Sequence, residues 1–172
     1  MGRINLTAAV LLFLAVCTVM GFGRSVHEGG EQLKVVTTTS LLEEVAERVG
    51  GEKVDVVNII PPAQCPGHFD VKPADVQKLA DADIFFLHGW QGEKFSQQLI
   101  ASADNPDLTV VRLEIEGNWM TPSVHRQAVE YIADTFARAD EDNSSYYQES
   151  SAAYIRSIAA KEAEIMAAIE RI

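Results

Sequence analysis

The run Val54-Asp55-Val56-Val57-Asn58-Ile59-Ile60-Pro61-Pro62-Ala63-Gln64-Cys65-Pro66-Gly67-His68-Phe69-Asp70-Val71-Lys72-Pro73 decides the fold. Val54 to Ile60 is a short, β-branched apolar run, which predicts a strand. Pro73 opens a helical pattern that continues to Ala80. The residues between them therefore form a loop at the carboxyl end of a strand, where open α/β sheets place their ligands. Within six residues this loop carries a thiol (Cys65), an imidazole (His68) and a carboxylate (Asp70). All three are metal-ligand types, and Cys with His favours zinc or a similar ion.

The same alternation extends in both directions. Lys34 to Thr38 predicts a strand, and Leu41 to Val49 an amphipathic helix with Ser40 as its cap and Glu43 completing a capping box. Gly50-Gly51 stops that helix. Asp83 to Leu87 reads as a strand, with the continuous apolar character of a strand buried on both faces. Gln91 to Ala103 reads as a helix and Leu108 to Leu113 as a strand. Strands alternating with helices imply a four-stranded, mainly parallel α/β sheet with right-handed crossovers. After Trp119-Met120-Thr121-Pro122 the pattern turns helical over 123–138 and again over 145–172. The second helix carries Tyr147, Tyr154, Ile158, Ile165 and Ile172 on or near one stripe. No Gly, Asn or Pro closes it, which leads us to expect a further lobe, or self-association through this helix.

The 172 residues fit one domain or a domain with an appendage. A formal net charge of −11 argues against nucleic acid as a partner. Residues 1–25 read as a secretory signal, with Arg3 ahead of the apolar run Leu6 to Phe22 and small residues at Gly21 and Gly23. A retained membrane anchor is the alternative, and Leu14-Ala15-Val16-Cys17 loosely matches a lipidation signal. Residues 26–32 are a polar linker, 33–122 the α/β lobe, and 123–172 the helical segment. Export places the protein in the periplasm or on the outer face of the cytoplasmic membrane.

The order of elements and several motifs resemble the amino-terminal lobe of the metal-binding solute-binding proteins of ABC importers, the zinc and manganese class. The resemblance covers about residues 33–172. It rests on Val35-Val36-Thr37-Thr38-Thr39-Ser40, the Pro61-Pro62 turn, Phe69 with Pro73 and Asp75, and the Ala82-Asp83 lead into a strand. Trp119 with Thr121-Pro122, and Tyr147 near the start of the last helix, also fit. It implies two α/β lobes joined by one long helix, a divalent transition metal ion held between them (zinc ahead of manganese), and an ABC permease as partner. Two positions depart from the family pattern. The usual first-loop His falls on Gly67, and the second, two residues before the Trp, falls on Gly117.

The expected metal site is therefore Cys65 and His68 in place of that His pair, with His88 from the next strand end and Asp70 as a further ligand or as an orienter of His68. Against it stands a plainer reading. Cys65 is then a buried loop residue or a reactive thiol, His68 and Asp70 are solvated, and His88 is a satisfied strand-end histidine. His27 lies in the linker and His125 on a helix. Trp90 and Trp119 flank the same mouth, as packing residues ahead of ligand contacts. No Gly-rich phosphate loop follows a strand, and Cys65 with His88 lacks an orienting third group, so the chain is not read as an enzyme. A stand-alone metal-binding or adaptor module outside any transporter is the alternative function.

Overall fold

The computed structural model describes residues 32–64, 67, 69–89 and 94–171. The leader with Cys17, His27, Cys65, His68 and Trp90 lie outside the described residues. The elements are β1 (Leu33–Thr37), α1 (Ser40–Gly50), β2 (Val54–Asn58), α2 (Pro73–Ala80), β3 (Ile84–His88), α3 (Lys94–Ala103), β4 (Thr109–Leu113), α4 (Pro122–Ala139) and α5 (Ser144–Ile169).

The four strands form one parallel sheet in the order β2-β1-β3-β4. Its layering follows from handedness. The step from β1 to β2 moves one way across the sheet, and the steps from β2 to β3 and from β3 to β4 move the other way. Right-handed crossovers then put α1 on one face and α2 with α3 on the opposite face. The side chains sort accordingly. Val35, Ile84, Phe86 and Leu113 pack with Leu42, Val45, Ala46 and Val49 of α1, while Val36, Phe85 and Leu87 pack with Leu79 of α2 and Leu99 of α3. All of β3 is buried, as its continuous apolar run requires.

α4 closes the α1 face with Ala128, Val129, Ile132, Ala133 and Phe136. The first turns of α5 join this core through Tyr147, whose hydroxyl donates to Asp140 Oδ2 at 2.7 Å. Further along α5, Tyr154 and Ile158 are only partly buried, and Ile165, Met166 and Ile169 are half exposed. The stripe expected on this helix is thus covered in its first half and open to solvent in its second. Among the described residues no helix is long and apolar enough to cross a membrane.

Helix starts differ from expectation in one informative place. Thr39, not Ser40, occupies the N-cap of α1, and no side chain caps the helix. Glu43 hydrogen-bonds Asn58 instead of reaching back to the cap. The Thr39 hydroxyl is drawn away to His88, at the end of β3.

Candidate metal site at the sheet edge

β1 and β3 are the neighbours from which the chain departs in opposite directions, so their carboxyl ends border the switch-point crevice. The structure builds a cavity of about 240 Å³ there. Its walls come from Thr39, Ser40 and Leu41 at the start of α1, from Ile60, Pro61, Ala63 and Gln64 after β2, and from His88.

Local geometry explains how the loop reaches this position. After β2 the chain stays hydrogen-bonded across the end of β1, with Ile59 N–H donating to Thr37 C=O at 2.8 Å and Ile60 N–H to Thr38 C=O at 3.2 Å. Asn58 Nδ2 then donates to Ile60 C=O at 2.8 Å and fixes the exit. Pro61 to Gln64 turns back sharply. Gln64 N–H donates to Pro61 C=O at 3.1 Å, and Ala63 takes φ 67°, the positive φ that the third residue of such a turn requires. The far end of the loop is anchored twice. Phe69 meets Phe95 edge-on with centroids 5.2 Å apart, and Lys72 N–H donates to Asp75 Oδ2 at 3.0 Å where α2 begins. Asp75 is buried and also receives Lys78 Nζ at 3.3 Å. These contacts give structural roles to Phe69 and Asp75, and Pro73 takes the first turn of α2.

His88 is the buried polar centre of the cavity, 1% exposed. Its Nε2 lies 2.8 Å from Thr39 Oγ1. The indole of Trp119 stands edge-on to the imidazole at 4.3 Å, and that indole donates from Nε1 to Ile115 C=O at 3.3 Å. Burial lowers the pKa of His88 from 6.5 to about 4, because the charged ring would lose its hydration there. The ring is therefore neutral at physiological pH, the form in which imidazole ligates metal. Nε2 can serve as a ligand only by giving up the Thr39 hydroxyl.

The other residues named from the sequence separate clearly. Asp70 is exposed on the loop and is not among the cavity walls. Among the described residues no three His, Cys, Asp or Glu side chains come together. Trp119 is buried against His88 and acts as packing. His125 is elsewhere, on α4, with Nε2 2.8 Å from the Tyr154 hydroxyl on α5. Thr39 was missed as a cavity residue. It sits in the run Thr37-Thr38-Thr39, where Thr37 and Thr38 are fully buried and only position 39 turns toward His88. The Thr run is visible in the sequence, but its pairing with His88, 49 residues away, is not.

Gly117 occupies the second usual His position with φ 119°, a conformation that L side chains rarely adopt. A Cβ built there would meet Val124 Cγ2 at 2.9 Å. The backbone at this point is shaped for glycine, so the departure involves the local chain path as well as one side chain.

Comparison with known proteins gives this geometry its context. The model of the family described as ZnuA, zinc-uptake complex component A periplasmic, matches residues 35–172. The manganese-binding lipoprotein MntA of Halalkalibacterium halodurans is 29% identical over 161 residues, which cover 87% of this chain and 53% of the relative. The manganese ABC transporter substrate-binding lipoprotein PsaA of Streptococcus pneumoniae is 26% identical over 189 residues, covering 97% of this chain and 60% of the relative. The chain thus spans little more than half the length of these relatives. Among solved structures, the Mn-bound periplasmic metal-binding protein of Candidatus Liberibacter asiaticus shares the fold with a TM-score of 0.71 at 15% identity, over 82% of this chain and 58% of that one. The Zn(II)-bound ZnuA-like domain of Streptococcus pneumoniae AdcA matches with a TM-score of 0.66 at 21% identity, over 75% of this chain and 52% of that one. With the family model matching residues 35–172, from the first strand into the last helix, and solved metal-binding proteins sharing the fold, the chain belongs to the family described as ZnuA, zinc-uptake complex component A periplasmic.

Proposed function

We propose that this chain supplies the first lobe of an extracytoplasmic solute-binding component of an ABC-type metal uptake system. It is exported, works in the periplasm or on the outer face of the cytoplasmic membrane, and hands a divalent transition metal to a membrane permease. Zinc is the preferred cargo and manganese the second. The observation that carries the reading is the cavity at the switch point, where a buried neutral imidazole faces Pro61, Ala63 and Gln64, the start of the loop whose sequence continues with Cys65, His68 and Asp70. The relatives named for manganese binding and ABC transport support the class of cargo.

In this reading Cys65 and His68 are the principal ligands, Asp70 adds a carboxylate oxygen or orients His68, and His88 contributes from the cavity wall. Thiolate with imidazole favours zinc over the harder manganese ion. Binding displaces the thiol proton and so strengthens as pH rises through the thiol titration.

Zinc titration calorimetry tests the assignment on the wild-type chain and on Cys65→Ser, His68→Ala and His88→Ala. The expected result is a loss of affinity of at least about tenfold for Cys65→Ser and for His68→Ala. A smaller loss is expected for His88→Ala. Identical zinc isotherms in all four proteins would remove these residues from the site.

A further inference from the structure

We propose that the open edge of β4 is a docking site for an extended, carboxylate-bearing segment of a partner protein. Among the described residues β4 is the last strand of the sheet. Its hydrogen bonds to the β3 side fix which of its residues face outward. Thr109 N–H donates to Asp83 C=O at 2.9 Å, and Leu113 C=O accepts from Gly89 N–H at 3.5 Å. In a strand the N–H and C=O of one residue point to the same side, and neighbouring residues alternate. Thr109, Val111 and Leu113 therefore serve β3, while Val110 and Arg112 turn their N–H and C=O to the edge.

A cavity of about 300 Å³ runs along this edge. Thr109, Val110, Val111 and Arg112, consecutive residues that alternate between the two faces of the pleat, all line it. That is possible only where the space wraps the strand edge itself. The opposite wall is the end of α4, with Tyr131, Thr135 and Arg138. Tyr131 and Val110 are 43% and 37% exposed. The strand Thr109-Val110-Val111-Arg112-Leu113 is rich in β-branched residues and has no Pro or Lys, and Arg112 is its one charge, so the edge is closed to cationic partners and left to anionic ones.

Charge selects the occupant. The chain carries 25 acidic and 14 basic residues, yet this cavity is lined by two arginines and no carboxylate. Among the described residues neither arginine forms an ion pair; Arg138 donates only to Thr135 Oγ1, at 3.4 Å. A simple anion could use the outward N–H groups and the guanidinium groups but would leave the outward carbonyls without donors. A peptide strand satisfies both. A second copy of this edge would bring two more arginines and no carboxylate, so self-pairing is opposed by like charge. An added strand with two adjacent Glu or Asp residues, one on each face, meets both arginines, because Arg112 leaves the pleat on the α2–α3 face and Arg138 stands on the α4 side.

The probe is a blocked peptide, acetyl-Thr-Val-Glu-Glu-Val-Val-Thr-amide, whose adjacent Glu residues project to opposite faces, compared with its Lys-for-Glu counterpart on the full chain. Binding is read by titration of the backbone amide NMR spectrum and by amide exchange. The Glu peptide should bind and slow exchange at Val110 and Arg112 by at least about tenfold, and its affinity should fall with salt. The double variant Arg112→Glu, Arg138→Glu, both exposed positions, should keep its spectrum elsewhere and lose the Glu peptide by at least about tenfold. Equal binding of the Glu and Lys peptides, or unchanged binding by the double variant, would overturn the proposal. So would absence of binding at millimolar peptide. A dimer of the free chain with those same two amides protected would assign the edge to a second copy and also overturn it.

Discussion

His88 makes the stability of the metal-free protein depend on pH in a way that can be calculated. Its imidazole is buried and its pKa falls to about 4, whereas in the unfolded chain it titrates at its ordinary 6.5. Between these values the unfolded state holds a proton that the folded state refuses. Stability therefore rises with pH across this window and is lost as pH falls below 6.5, flattening again below about 4. Between pH 7.5 and 4.5 the linkage amounts to about 2.5 kcal/mol. His88→Gln keeps a polar group facing Thr39 but removes the titration. Urea unfolding at both pH values, in the presence of a chelator, should show wild type losing about 2.5 kcal/mol more than the variant. With a urea dependence of about 1–3 kcal/mol per molar, that is a relative midpoint shift of about 1 M or more. The other ionisable groups are common to both proteins and cancel in the comparison. The imidazole C2–H resonance of His88 in the native state should titrate near 4. Parallel loss of stability in wild type and variant, with a native titration near 6.5, would refute the argument that desolvation governs this side chain.

Restoring the missing imidazole with Gly117→His should destabilise the fold by about 1–3 kcal/mol, because φ 119° suits glycine and the new Cβ meets Val124. Thermal melting measures this, and an unchanged midpoint would contradict the strain. Tyr147→Phe removes the hydroxyl that donates to the Asp140 carboxylate at 2.7 Å and should cost about 1.5–3 kcal/mol in denaturant unfolding. A loss below about 0.5 kcal/mol would mean that water replaces the bond without penalty.

Much of this protein could be read from local pattern. Val35-Val36, Ile84 to Leu87 and Val110-Val111 announce strands because β-branched and apolar runs bounded by polar turns have few other stable forms. Pro73 and Gly50-Gly51 mark helix boundaries because one fixes φ and the other releases it. Strand–helix alternation then implies a parallel sheet, and right-handed crossovers leave few ways to arrange it. That the residues after β2 form a loop between a strand and a helix was legible from Pro61-Pro62 and Pro73. The pairing of Thr39 with His88 was not, because it joins residues 49 apart through the β1–β3 contact, and that contact exists only once the strand order is set. The capping box at Ser40 and Glu43 failed for the same reason: tertiary partners, His88 for Thr39 and Asn58 for Glu43, outcompeted local ones. The shape of the chain at Gly117 and the burial that keeps His88 neutral also belong to the tertiary level. Backbone periodicity is a property of neighbouring residues and can be read along the chain. Desolvation, strand edges and the side of a cavity that a hydroxyl faces depend on what packs around a residue, and only the assembled fold decides that.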